Sequence, residues 1–405
     1  METAIPPELL ARPEIAEADR ILRACVHCGF CNATCPTYQL LGSEPDGPRG
    51  RIYLIKGMLE GSETTAKTQL HLDRCLTCRA CETTCPSGVQ YGRLVDIGRQ
   101  FIEERVARTY TQKMIRRALL GVLPYRNRLR TVLQLGNLLR PLLPPTLRTK
   151  VPPLRSAAAV APVQHVRRML VLQGCVQPLS TPATNAAATR VLDKLGITLL
   201  SAPAAGCCGA LNLHLADADG ARTLMRRNID AWWPYVEQDI EAIVVTASGC
   251  GVMVKDYGHE LKNDPDYAAK AARISALARD LSEVVRSADL AQFSNAGAGV
   301  RVACQSSCTL QHGQKLAGAV EGILQRCGYT LTTVADSHLC CGAAGTYTLL
   351  QPELSKQLLD NKLAALQQNA PDIIVTANIG CQLHLEGASA VPVKHWIELL
   401  DRSPA

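Results

Sequence analysis

The chain has 405 residues, enough for two or three domains that each bury a core, and with 47% hydrophobic and 20% charged residues it does not read as disordered. Its 18 cysteines stand against 3 phenylalanines and 3 tryptophans. No run of 18 apolar residues is present to span a bilayer, and the formal charge is +7. Met1 to Arg20 carries Glu2, Glu8, Glu14, Glu17 and Asp19 and no basic stretch ahead of an apolar one, so no secretory signal is read there; the cysteines then point to metal ligation and away from a disulfide framework.

In chain order, the first segment (1–104) holds two runs of the form C-x2-C-x2-C-x3-C-P. They are Cys25, Cys28, Cys31 and Cys35 before Pro36, and Cys75, Cys78, Cys81 and Cys85 before Pro86. Three thiolates two residues apart wrap a tight loop around one face of a cubane, and the fourth ligand comes from elsewhere. In two-cluster ferredoxins the last cysteine of each run crosses to the other cluster. One [4Fe-4S] site is therefore expected from Cys25, Cys28, Cys31 and Cys85, and a second from Cys75, Cys78, Cys81 and Cys35. Four-cysteine zinc sites also use C-x2-C pairs, but they do not need the third cysteine and the C-P ending twice over. Between the runs, Gly50 to Glu60 has helical apolar spacing, so the unit is expected to be mostly helical. Arg49 and Arg51 close that insert by pairing with acids, or else lie in a solvated turn. His27, inside the first loop, either tunes a cluster by hydrogen bonding or is a surface residue.

From Arg105 to Arg168 there are fourteen Lys or Arg and no Asp or Glu, which leaves −7 for the rest of the chain. Leu119, Leu120, Leu123, Leu129, Leu133, Leu135, Leu138 and Leu139 are interleaved with the arginines. Such a stretch suits an anionic membrane surface or an acidic partner. The scarcity of aromatic residues argues against nucleic acid. Pro141, Pro144, Pro145, Pro152 and Pro153 break any helix, so 105–168 is read as a basic helical linker with a docking face.

The remainder is an internal repeat. Cys175, the Cys207-Cys208-Gly209 triplet and Cys250 recur as Cys308, Cys340-Cys341-Gly342 and Cys381, with 32 positions from Cys175 to Cys207 and from Cys308 to Cys340. Asn228 corresponds to Asn361. In the first copy Met169–Leu172, Ile197–Leu200 and Ala242–Val245 read as strands, with helices over Thr184–Leu195 and Asp217–Glu237. This alternation predicts two tandem α/β domains with parallel sheets, 169–295 and 296–405, behind the α+β ferredoxin-like one. The cysteines then fall at the carboxyl ends of strands, where open sheets bind ligands. Four soft donors per copy suit a further iron-sulfur cluster or zinc, with buried unligated thiols as the bland alternative. Cys304 and Cys327 have no counterpart and are read as ordinary thiols. Trp232 and Trp233 are read as packing residues, with substrate contact as the alternative, and His214, His312 and His338 as satisfied surface histidines, with proton transfer as the alternative. No G-x-G-x-x-G follows a strand, so substrate chemistry is expected on another polypeptide and no catalytic residue is assigned here.

The paired cysteine runs followed by two cysteine-cysteine-glycine repeats resemble the iron-sulfur subunits of bacterial flavin-linked hydroxyacid dehydrogenases. Cys25-Val-His-Cys28-Gly-Phe-Cys31, Gly47 to Lys56 and Asp336 to Gly342 look like a glycolate-oxidising member. The resemblance implies partner subunits that carry FAD and oxidise glycolate to glyoxylate. This chain would take the electrons to a respiratory acceptor such as quinone, in the cytoplasm at the inner face of the cytoplasmic membrane. Lactate, another 2-hydroxy acid or glycerol 3-phosphate are the alternative fuels. The repeats are also similar to heterodisulfide reductases, whose last motif is C-x2-C. Here Met253 and His384 stand where the fifth thiolate would be, so disulfide cleavage at these sites is in doubt.

Overall fold

The structure, a computed structural model, describes residues 1–142, 154–158, 160–161 and 163–401. Pro144, Pro145, Arg148, Pro152 and Pro153 of the basic segment lie outside the described residues. The chain divides into two compact units. The first is built from Met1–Arg117, Leu211–Ala218 and His338–Lys362; the second takes Ala118–Ala210, Asp219–Ser337 and Leu363–Ala405.

The first unit is helical, as its sequence predicts. Helix α1 (Pro13–Ala24) starts on a proline, whose missing N–H would have no partner there anyway, and buries Ile15, Ala18, Ile21 and Leu22 at helical spacing. Helix α2 (Pro48–Leu59) buries Ile52, Ile55, Met58 and Leu59. Helix α3 (Ala66–Asp73) is capped by Thr65, whose hydroxyl accepts from the Thr68 N–H. Helix α4 (Tyr91–Glu103) adds Leu94, Val95, Phe101 and Ile102, and the four helices share one apolar core. Each fully buried aliphatic side chain there contributes about 1.5–3 kcal/mol. The insert expected over Gly50–Glu60 is α2.

The basic segment forms two helices, α5 (Tyr110–Val122) and α6 (Arg126–Leu138). In the second unit, α6 packs Leu129 and Leu133 against Leu179, with Val122, Leu123 and Val176 around them. Its other side leaves Val132, Leu135, Leu138 and the adjoining Leu139 exposed, Leu138 to 76%.

Two four-stranded sheets complete the second unit. The first runs β2-β1-β3-β4, all parallel, from β1 (Arg167–Leu172), β2 (Ile197–Ser201), β3 (Ala242–Val245) and β4 (Ala278–Asp280). Met169 lies between Leu199 and Ala242 in register. The second sheet repeats the order as β6-β5-β7-β8, from β5 (Arg301–Gln305), β6 (Thr330–Leu331), β7 (Ile373–Thr376) and β8 (Val393–His395). The continuous apolar strands Met169–Leu172 and Ala242–Val245 are buried on both faces, as parallel strands under crossover helices are. One core joins the two sheets. It takes Val191 and Leu192 from α7 (Pro182–Lys194), Ile323 and Leu324 from the helix Ala319–Arg326, and Trp396, Leu399 and Leu400. Cys304 and Cys327 pack into it as small apolar side chains.

Candidate metal centres

In the first unit both cysteine runs adopt the same backbone. The residue before the second cysteine and the one after it are left-handed in each: His27 (φ 57°) and Gly29 (84°), then Thr77 (53°) and Arg79 (60°). A non-glycine residue pays about 1–2 kcal/mol for that conformation, and the turns curl the three thiols inward. A cavity is lined by Cys25, Cys28, Cys31, Cys81 and Cys85, with Pro48, Ile52, Val89 and Tyr91 as its apolar wall. Burial, then the Cys25, Cys28 and Cys85 thiols, push Cys31 up to about 11. Cys25, Cys28 and Cys85, the three partners expected for the first site, line this cavity with Cys31, and so does Cys81. Burial also raises Cys81, and the next causes are Cys78 and Cys75, with Cys35 among the rest.

Four buried charges fix the second loop. Arg51, 1% exposed, donates from Nε to the His71 carbonyl (2.7 Å) and from Nη2 to Thr37 Oγ1 (3.1 Å), with Asp46 at 3.8 Å. Asp46 in turn bonds His71 (2.9 Å) and Arg74 (3.1 Å). The arginine therefore pairs with an acid, and the solvated turn is excluded. Arg99 donates to the Cys75 carbonyl at 2.6 Å and to Thr77 Oγ1 at 3.0 Å. His214 reaches Asp96, which lies 3.4 Å from Arg99. Donors also reach sulfur: the Thr77 N–H (3.4 Å) and Tyr91 hydroxyl (3.7 Å) to Cys75. His27 is half-buried, edge-on to Tyr53 at 5.6 Å.

Cys340 and Cys341 belong to this unit through His338–Lys362. The Tyr347 hydroxyl donates to the Arg74 carbonyl at 3.0 Å, next to Cys75. Burial first, and then the Cys340 thiol, hold Cys78 well above the usual thiol range. Gly342 is left-handed (φ 88°) like Gly209 (93°), and its N–H lies 3.4 Å from Cys340 Sγ.

In the second unit the first copy's four thiols converge at the carboxyl ends of its strands. Cys175 follows β1, Cys207 and Cys208 follow β2, and Cys250 sits in the first turn of the helix Ser248–Glu260 after β3. Their thiols act on one another in order, Cys175 with Cys207, Cys207 with Cys208, and Cys208 with Cys250. Cys175 and Cys208 hold Cys207 well below the usual thiol range, and Cys207 in turn pushes its two neighbours up. The pair is clamped by Asn228, fully buried on α8 (Ala218–Val236). Asn228 Oδ1 accepts from the Gly206 N–H (2.8 Å), and its Nδ2 donates to the Cys207 carbonyl (2.8 Å) and the Tyr257 hydroxyl (2.9 Å). Tyr257 donates onward to the Cys208 carbonyl at 2.9 Å. Trp232 is fully buried and stacks on Tyr257 at 6.3 Å, while Trp233 is half-exposed and bonds Glu237. The second copy keeps the glycine and not the clamp: Asn361 is exposed, and the seventh residue after Cys381 is Ala388 where Tyr257 follows Cys250. Of its other cysteines, Cys308 follows β5, and Cys381, in the first turn of the helix Ile379–Glu386, accepts from Asn378 Nδ2 at 3.6 Å. His312 is buried, not on the surface.

No group of three or more His, Cys, Asp or Glu is closed to single-ion spacing among the described residues. The first copy's thiols run as a chain of pairwise contacts. All-thiol donor sets of this kind fit iron-sulfur clusters by ligand softness. Sequence reasoning missed Arg51's burial, Arg99, Tyr91, Tyr257 and Tyr347, because each acts from a distant stretch of chain. Asn228 carried a signal, its recurrence in the repeat.

Comparison with known proteins finds relatives along the whole chain. A family model described as a 4Fe-4S dicluster domain matches residues 21–89, and one described as a cysteine-rich domain matches 169–255 and 282–386. The glycolate oxidase iron-sulfur subunit of Escherichia coli (strain K12) is 54% identical over 404 residues, covering 100% of this chain and 99% of that protein. A probable glycolate oxidase iron-sulfur subunit of Bacillus subtilis (strain 168) is 31% identical over 393 residues, 89% of this chain and 88% of the relative. Lactate utilization protein A of Bacillus cytotoxicus is 26% identical over 238 residues, 56% of this chain and 95% of its own length. With two cysteine-rich copies behind a dicluster domain and full-length identity of this order, the chain belongs to the family of glycolate oxidase iron-sulfur subunits.

Proposed function

We propose that this chain is the electron-transfer subunit of a glycolate-oxidising complex, in which companion FAD-binding subunits convert glycolate to glyoxylate. The observation that carries the reading is the pair of matched cysteine loops, with Cys25, Cys28, Cys31 and Cys85 lining one cavity. In this reading Cys25, Cys28, Cys31 and Cys85 hold one [4Fe-4S] cluster, and Cys75, Cys78, Cys81 and Cys35 hold another. Such clusters, when bound, accept and release one electron at a time, which suits a flavin donor and a respiratory acceptor such as quinone. The protein's part is to exclude water with Ile52, Val89 and Tyr91 and to aim N–H and O–H donors at Cys75 sulfur. Cys340 beside Cys78 offers a sulfur-to-sulfur step between the second repeat and the second cluster loop. Cys175, Cys207, Cys208 and Cys250 form a further metal-thiolate site in this reading, and Cys308, Cys340, Cys341 and Cys381 are the thiols at the corresponding sequence positions of the second repeat.

Peripheral attachment at the inner face of the cytoplasmic membrane is part of the proposal. It is supported by the exposed leucines of α6 beside Arg128 and Arg130. No helix among the described residues is long and apolar enough to cross a membrane. Lactate is the second reading for the fuel, favoured by the likeness over 56% of this chain to lactate utilization protein A. Anaerobic electron paramagnetic resonance on the co-purified complex tests both, with glycolate, lactate and glycerol 3-phosphate added in parallel and dithionite as the full-reduction control. Glycolate is expected to raise cluster signals that Cys25→Ser and Cys75→Ser remove. Clusters reduced by dithionite and silent to glycolate would overturn the assignment of the fuel.

A further inference from the structure

The basic segment reaches the first four-thiol site. Arg126, the first residue of α6, donates from Nη2 to the carbonyl of Gly174 at 3.3 Å, the residue before Cys175. From the other side Arg227 on α8 donates from Nε to the Ala204 carbonyl at 2.8 Å. Its Nη1 stands so close over Gly206, the residue before Cys207, that a Cβ there would meet it at 3.4 Å. Both guanidiniums are thus held by backbone carbonyls at the two loops that carry the thiols.

Gathering these charges costs free energy that something must offset. Burial holds Arg126 below the usual arginine range, and the nearby cations Arg130 and Arg227 add to that; the opposing attraction comes from Cys175. Neither Arg126 nor Arg227 forms an ion pair with a carboxylate among the described residues. The repeat supplies an internal comparison. The residue that corresponds to Arg227, on the same offset that relates Cys207 to Cys340, is Asp360, which faces solvent and pairs with Lys356 at 2.5 Å. A copy of this domain therefore forms with an acid at that position, and the fold does not demand arginine there.

We propose that Arg126 and Arg227 are positioning residues that hold positive charge against Cys175 and Cys207, so that a metal-thiolate centre at this site is easier to reduce. One electron delivered to the site, from dithionite or from another iron-sulfur cluster, makes it one unit more negative, and the fixed cations stabilise that added charge. The inference rests on the reading of the first four-thiol site as a metal centre and is independent of which hydroxy acid is oxidised.

The test is a dithionite titration at controlled potential, followed by paramagnetic resonance, on the anaerobically purified full chain. The signal that Cys207→Ser removes identifies the site. Arg126→Gln and Arg227→Gln are each expected to lower the reduced-to-oxidised ratio at fixed potential about threefold to tenfold, tenfold being about 59 mV for a one-electron couple. Arg126→Lys and Arg227→Lys are expected to restore most of it, and the signals of Cys25 and Cys75 loops to stay in place. Unchanged ratios in Gln variants with wild-type iron content would overturn the proposal and leave the electron-transfer reading intact. If both Gln variants fail to load iron and the Lys variants load, the charge serves assembly and the tuning role is overturned. If Cys207→Ser removes no signal, it is the metal-centre reading that fails.

Discussion

Asn228 shows how much one side chain does at the first thiol site. It satisfies a half-buried N–H, a buried carbonyl and the acceptor side of a tyrosine hydroxyl at once, so Asn228→Ala leaves the Gly206 N–H and the Cys207 carbonyl unpaired and leaves the Tyr257 hydroxyl with its bond to the Cys208 carbonyl alone. A loss of about 2–4 kcal/mol in chemical denaturation is expected, together with reduced iron per chain. Asn361→Ala, at the exposed matching position, is expected to stay within about 0.5 kcal/mol of wild type. The sequence repeat marked both asparagines, and their different fates were not legible in it. The clamp needs Tyr257, and whether a hydroxyl meets an amide is decided by how two helices pack. The cysteine spacings, by contrast, were legible residue by residue, because the first three cysteines of each run fall within seven positions.

At the scale of elements, α2 depends on a close approach that only glycine permits. A Cβ at Gly50 would lie 2.1 Å from the Glu44 carbonyl oxygen, which is backbone and cannot swing aside. Gly50→Ala is expected to cost about 3 kcal/mol or more and to lower iron content, since the Glu44–Asp46 turn carries the Asp46 carbonyl that accepts from Thr37 beside Cys35. Gly57→Ala, which meets Ser62 Oγ at 3.3 Å, is the mild control. Helix α6 carries the membrane prediction. A soluble amphipathic helix needs one apolar face, and α6 has Leu129 and Leu133 inward and Val132, Leu135 and Leu138 outward. Arg128→Glu with Arg130→Glu, and separately Leu135→Gln with Leu138→Gln, are expected to lower flotation with anionic vesicles, by about 1 kcal/mol per lost cation. Neutral vesicles are expected to bind weakly throughout; equal binding of wild type and variants would remove the lipid reading. Arg126 is no surface probe, being occupied with Gly174. Strand and helix positions in the first repeat were legible because burial on both faces makes the strands uniformly apolar. The outward apolar stripe of α6 was not, since leucine spacing alone does not say which side a neighbour covers.

At the scale of the molecule, the two sheets are tied through His395. It ends β8, is fully buried, and its Nε2 lies 2.8 Å from the Thr246 carbonyl just past β3, to which it donates. Burial lowers it from an ordinary 6.5 to about 4. Below pH 6.5 the unfolded chain binds a proton that the folded one refuses, so this term is absent above about 6.5 and destabilises progressively as pH falls toward 4, by about 3 kcal/mol in all. His395→Gln keeps a donor and does not titrate. Denaturation midpoints between pH 4.5 and 7.5 are expected to fall less steeply in the variant, and parallel slopes would exclude His395 as the cause.

The first unit is assembled from three stretches of one chain, the last of them His338–Lys362. On a ribosome adding about 5–20 residues per second, that stretch emerges roughly 15–55 s after Cys85 has been made. Until then Arg74 lacks the Tyr347 hydroxyl and Cys78 lacks Cys340. The nascent second cysteine loop therefore passes through an interval in which both of these contacts are missing, and it takes its final surroundings only when the last-made segment of the unit arrives.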